Sequence, residues 1–320
     1  MNRKAPARNP AIPGTTQDRT GSAGILRRAV ADIRRRFAGL QRDVLAIFDG
    51  IRIVEPMPLP LAFNDATTGM QRTIYALTPD ELAAVSFALQ QALERWIAGG
   101  RDTANLLWWA TYDAQAAQLG AAQSVANLTN LSAAYAATRT LQEVVFSEAY
   151  RNRVAMAQVK SYEHWTGLSA GMRSELSQII GRAVVDGKNP KAVRAEIVER
   201  LDVSKARAIG YAQTDITDTL RQARIAEADY AADELGLAIG LLRTSALSPT
   251  TRPWHASRNG KVYTSEEVRA FYAVNGNRYR CHCATTECLL DADGKPILTD
   301  ALKASMAKER AAWERAHPTG

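Results

Sequence analysis

Residues 237–246 read LAIGLLRTSA, and the hydrophobic period changes here. Upstream of it, apolar residues recur at helical spacing. Here the period becomes that of a strand, with Gly240 inside it. Downstream come short segments, turns and a crowded group of cysteines, followed by a helix from about Asp300 to Ala316. The pattern predicts an α+β fold: a mostly helical N-terminal half, then a small α+β module with short antiparallel strands.

Moving back from residue 237, Gly236 is a helix stop. It closes a helix that Ser204 caps and that carries Tyr211, Ile216, Leu220 and Ile225 to about Leu235. Asn189-Pro190 forms a cap followed by proline in the first helical position, ahead of Val193, Ile197 and Leu201. Ser169 caps a helix ending near Gly187. Residues 102–160 contain no proline and read as one or two long helices, with Trp108 and Trp109 as packing residues. A capped helix starts at Thr78 with Pro79 and Glu81 and ends at Gly99-Gly100. Before it, Pro56, Pro58 and Pro60 mark an extended connection over 50–73. Leu26, Val30, Ile33, Phe37, Leu40 and Val44 form the apolar stripe of an amphipathic helix. Residues 1–24, rich in Pro, Gly, Thr and Ala, read as a mobile basic tail. The linear division is thus 1–24 tail, 25–160 helical docking region, 161–298 module and 299–320 C-terminal helix.

The chain has 320 residues, 46% hydrophobic and 23% charged, an ordinary globular composition. No run approaches the roughly 18 apolar residues of a membrane span, and the N-terminus lacks the apolar core of a secretory signal. The net charge is +7. Residues 1–54 carry eleven Lys/Arg and four Asp/Glu, so the whole basic excess sits there. Arg27, Arg28, Arg34, Arg35, Arg36 and Arg42 occupy the polar faces of the first helix and are candidates for polyanion contact; a solvated helix face is the other reading. Walker A and GxGxxG phosphate loops are absent, which argues against a packaging ATPase.

The cysteines are Cys281, Cys283 and Cys288, within eight residues. An odd number crowded at one place is not a disulfide framework. His255, Cys281, Cys283 and one of His282 or Cys288 offer four soft or borderline ligands, a set that suits zinc. The favoured reading is a cluster without metal that staples the end of the module. The chain's reversal at Asn259-Gly260 brings His255 toward the cysteines. Cys283 with His255 is the sole nucleophile–base candidate, and no catalytic signature surrounds it. His164 and His317 are isolated. Asp291-Ala-Asp293-Gly294 reads as a turn, since the further ligands of a calcium loop are missing.

Taken in order, the segments KARAIGYAQTDITDTLRQAR (205–224), RTSALSPTTRPWHASRNGKVYTSEE (243–267) and FYAVNGNRYRCHCATTECLLDADGKPI (271–297) resemble the phage minor head, or head-morphogenesis, proteins similar to protein F of phage Mu. Thr214, Asp215 and Thr217 lie in the family's helix motif, with Gln213 where Arg is usual. Thr251, Arg252, Pro253 and His255 match its central segment, with Ser248 where Asp is common. Asn259-Gly260 matches its turn, and Cys281-His282-Cys283 its Cys-x-Cys. The resemblance implies a non-enzymatic minor protein of a tailed-phage head, present in few copies, acting in capsid assembly and DNA packaging at or near the portal. The implied partners are the portal, capsid or scaffold proteins and packaged DNA, with no membrane. The implied location is the head interior, and the host cytoplasm during assembly. No cofactor is implied, and zinc stays open. The competing readings are a MuF-type toxin or nuclease-related module and a zinc-stabilised nucleic-acid-binding adaptor. Against the former, the stretch after Ile297 is short for an independent effector domain.

Overall fold

The computed structural model describes residues 8–54, 73–99 and 108–318. The order is α1 (Ala23–Asp49), β1 (Ile53–Val54), β2 (Ile74–Tyr75), α2 (Pro79–Leu93), α3 (Ala110–Leu131), α4 (Ala133–Thr138), α5 (Leu141–Phe146), α6 (Glu148–Asp186), α7 (Pro190–Asp233), β3 (Ile239–Thr244), α8 (Pro253–Ala256), β4 (Val262–Tyr263), α9 (Ser265–Ala273), β5 (Ala284–Leu289) and α10 (Asp300–Ala316). The fold is α+β and mostly helical. The prolines at 56, 58 and 60 lie outside the described residues, as do Gly100 and the start of the helix expected from 102. The two ends of the connection over 50–73 pair as β1 and β2, antiparallel.

Several helix boundaries follow local chemistry. Thr78 accepts from the Glu81 backbone while the Glu81 carboxylate accepts from Thr78 N, a complete capping box, with Pro79 in the first turn. A π-helical turn continues α2 to Ala98, and Gly99 ends it at φ 84°. Asn189 Oδ1 accepts from Lys191 N at the start of α7. The buried stripe of α1 is Ile25, Ala29, Ile33, Phe37, Leu40, Val44 and Phe48. It agrees with the expected stripe from Ile33 to Val44. In the first two turns Ile25 and Ala29 take the inward places expected of Leu26 and Val30.

Elsewhere the expectations need correction. Over 102–160 the chain breaks more often than expected, because Ser132, Thr140 and Ser147 each take extended backbone and cap a new helix. Conversely, α6 and α7 run unbroken for 39 and 44 residues. Ser169 and Ser204 lie inside them, buried, and cap nothing. A serine caps only where the backbone leaves the helix, and neither helix has a proline to force that after its first residue. Residues 8–22, expected to be part of a mobile tail, are tied down. Arg8 Nη1 donates to Asn130 O (2.9 Å), Ala11 N donates to Asn127 Oδ1 (2.7 Å), and Arg19 pairs with Glu309 (2.8 Å).

The chain forms two compact units, each assembled from separate stretches and not following the expected division near residue 160. One comprises Met1–Ala29, Ala110–Val159 and Gly210–Gly320, the other Val30–Trp109 and Lys160–Ile209. The second unit holds a tryptophan group, in which the Trp165 ring lies 5.1 Å from Trp109 and 4.8 Å from Trp108. In the first unit, β3 is the centre of an antiparallel sheet ordered β4-β3-β5. Because strand side chains alternate, Leu241 and Arg243 share one face with their cross-strand partners Glu287 and Thr285. That face meets α7, where Ile225 and Ala228 pack with Leu241. Leu242 and Cys288 are on the opposite face with Leu298 and Met306. Gly240 is required where it stands: a Cβ there would lie 2.4 Å from Val262 Cγ1.

Candidate functional site

The site forms at the Thr244 end of β3, where three connections converge. The first leaves β3 and enters the short helix α8. Arg252 is its N-cap, Pro253 opens it, and His255 points inward, 2% exposed. The second is the turn back into β4, where Gly260 takes φ 79° and its N–H bonds Arg243 O (2.9 Å). Asn259 fixes this turn by accepting from Ser245 N (2.8 Å) and donating to Met306 O (3.0 Å). The third runs from α9 into β5 and carries Cys281 and Cys283, both buried.

Thr214 sets the third connection in place. In mid-α7 its hydroxyl donates to Gly210 O (2.8 Å) and accepts the Arg280 backbone N–H (3.0 Å). Arg280 has φ 49°, a left-handed conformation unusual for a non-glycine residue. Next to this turn, Gln213 and His282 contact each other through their side chains. Arg252 Nη2 donates to Tyr279 O (3.0 Å), joining the first connection to the third. Thr251 Oγ1 accepts from Ser248 N (2.9 Å) and closes the turn before α8.

Inside this frame, His255 Nδ1 lies 3.6 Å from Cys281 Sγ and 3.8 Å from Cys283 Sγ. The three ligand-capable atoms all fall within 4.8 Å of one another. His255 Nε2 faces Asn277 Oδ1 at 3.3 Å. That oxygen also accepts from Trp254 Nε1, while Asn277 Nδ2 donates to Phe271 O. An acceptor at Nε2 assigns the proton to that nitrogen and leaves the Nδ1 lone pair toward the sulfurs. Arg243 Nη2 is 3.2 Å from Nδ1 and 4.0 Å from Cys281 Sγ, and Arg243 Nη1 bonds the Tyr272 hydroxyl. The guanidinium of Arg221 lies over the Tyr272 ring at 3.5 Å and pairs with Asp218 at 3.0 Å.

The two thiols are inequivalent. A hydrogen bond from Cys283, with His255, Arg243 and Arg221 assisting, outweighs burial and holds the Cys281 thiol below the usual range. Cys283, the donor to that sulfur and itself buried, is pushed above it. Arg243 pairs with no carboxylate among the described residues, so Cys281 is its natural counter-charge.

Of the candidate ligands, the fold therefore unites His255, Cys281 and Cys283. Cys288 is a correction: five residues beyond Cys283, it falls on the other sheet face, where burial pushes its thiol up to about 12. His282 is exposed beside Gln213. The participants that sequence reading missed are Arg243, Tyr272 and Asn277. Only Arg243 carries a local signal, a charge inside an otherwise apolar strand.

Residues 174–286 match the family described as phage Mu protein F like protein. This stretch belongs to that family. No curated protein and no solved structure matches the chain. The Mu F-like stretch takes in Thr214, the α8 segment and both cysteines of the cluster, and it stops before Cys288. Family-motif residues Thr214, Thr251 and Arg252 thus hold the connections that carry His255 and the cysteines. Asp215 and Thr217 are buried on α7, where Thr217 Oγ1 donates to Gln213 O (2.9 Å). The Asp291–Gly294 segment is a turn, with Asp291 Oδ1 accepting from Asp293 N and Lys295 N.

The α1 arginines are outside the Mu F-like stretch. Arg27, Arg34 and Arg42 are exposed and make no ion pair among the described residues. Arg28 donates to Gln115, Arg35 pairs with Asp32, and Arg36 lies 4.2 Å over the Trp108 ring. No helix among the described residues is long and apolar enough to cross a membrane.

Proposed function

We propose that the protein is a non-enzymatic minor component of a tailed-phage head, acting in head assembly and DNA packaging at the portal. The carrying observation is the Mu F-like match over 174–286, the stretch that builds the buried cluster. In this reading the cluster stabilises the module. His255, Cys281 and Cys283 are each 2–3% exposed, which weighs against a hydrolase or nuclease built on them. The portal and capsid or scaffold proteins are the partners, and the free α1 arginines Arg27, Arg34 and Arg42 touch packaged DNA. The protein resides in the head interior after assembly in the host cytoplasm.

Deleting the gene from an inducible prophage tests the proposal. Particles made without the protein should be reduced in number, in DNA filling or in infectivity, and the intact gene in trans should restore them. Particles normal in all three respects would overturn it.

A further inference from the structure

We infer that His255, Cys281 and Cys283 form a zinc site with its fourth position on the Arg243 side. A tetrahedral zinc with Zn–N of about 2.0–2.1 Å and Zn–S of about 2.3 Å sets N···S separations of about 3.6 Å. The observed separations are 3.6 and 3.8 Å. Both N···S separations are thus those of ligands around one ion, and the ring nitrogen that faces the sulfurs is Nδ1, the one left without a proton. Asn277 supplies the outer support that a metal-bound histidine needs, an oxygen accepting from the other ring nitrogen and held in turn by Trp254.

Charge defines the fourth ligand. Two thiolates and a neutral imidazole around Zn²⁺ carry no net charge, which leaves buried Arg243 without a counter-ion. An anionic fourth ligand, hydroxide from water, restores the match. Arg243 then turns from Nδ1 toward that oxygen, and its Nε, which has no hydrogen-bond partner among the described residues, is a donor available for it. Binding releases the protons of both thiols and one from the water. The inference is independent of the head-assembly reading, since it concerns the ion alone.

The test uses the full chain, purified without chelator and reconstituted with zinc chloride or cobalt chloride. Expected are one zinc per chain by elemental analysis, a thiolate-to-cobalt charge-transfer band in the cobalt form, and X-ray absorption showing sulfur at about 2.3 Å and lighter ligands at about 2.0–2.1 Å. Cys288→Ser should retain the metal. Asn277→Ala should weaken zinc binding about 10–100-fold, a measure that survives if Cys281→Ser or Cys283→Ser fails to fold. Zinc well below one per chain after reconstitution, absorption without sulfur ligands, or loss of the metal in Cys288→Ser would each overturn the assignment.

Discussion

Thr214 Oγ1 accepts the backbone N–H of Arg280 at 3.0 Å, across 66 residues of chain. This bond ties the middle of the longest helix to the residue before Cys281 and fixes where the Cys-x-Cys segment enters the core. Thr214→Val should leave that partly buried donor without its partner and cost about 1 kcal/mol, whereas Thr214→Ser should be close to wild type. Urea unfolding of the three proteins checks the order. Faster alkylation of Cys281 in the valine variant would show that the loosening is local.

On β5, opposite Leu241, Glu287 is fully buried between Arg224 (2.7 Å), Ser124 (2.6 Å) and Asn127 (2.9 Å). Burial pushes its carboxyl up, but the charge and hydrogen bonds of Arg224 and the Ser124 hydroxyl outweigh it and hold it below the ordinary glutamate range. A group whose folded pKa is depressed stabilises above its unfolded value, about 4.3, and that stability is lost as pH falls through the folded one. Glu287→Ala should therefore cost about 3–5 kcal/mol near neutrality by leaving Arg224 buried and unpaired. The gap to wild type should narrow below about pH 4. Denaturant titrations at several pH values measure both.

Gly240→Ala should destabilise by about 1–3 kcal/mol through overpacking, because the new Cβ meets Val262 Cγ1 at 2.4 Å. Adding Val262→Ala should recover part of the loss. Thermal unfolding of the single and double variants decides whether the close approach is the cause.

If Arg27, Arg34 and Arg42 contact DNA, replacing all three with Gln should lower the slope of log K against log salt by about 0.9 per lost phosphate contact. Fluorescence anisotropy with duplex DNA at several salt concentrations reads this directly. An unchanged slope would remove these arginines from any DNA interface.

These predictions draw on features of unequal legibility in the sequence. The starts of α2 and α7 are legible because Thr78-Pro79 and Asn189-Pro190 carry their boundary chemistry within a few residues. Ser169 and Ser204 mislead for the complementary reason. Their side chains can cap, but only burial along a continuous helix decides whether the backbone turns there. The meeting of His255 with Cys281 and Cys283 is legible from the reversal at Asn259-Gly260 and the β period of 237–246. The exclusion of Cys288 follows from sheet alternation: Cys283 lies just before β5, with Leu241 on one face, and Cys288 within β5 lies with Leu242 on the other. Asn277 and Tyr272 are not legible: nothing local marks a loop asparagine or an α9 tyrosine as a neighbour of His255, and only the packed connections join them.

Quantitative mass spectrometry of purified procapsids and mature heads, with the portal subunit as internal standard, tests whether the protein is a minor head component. A minor head component should appear at a few copies per particle, co-purifying with the portal. Absence of the protein from both particles, or an abundance equal to the major capsid protein, would contradict it.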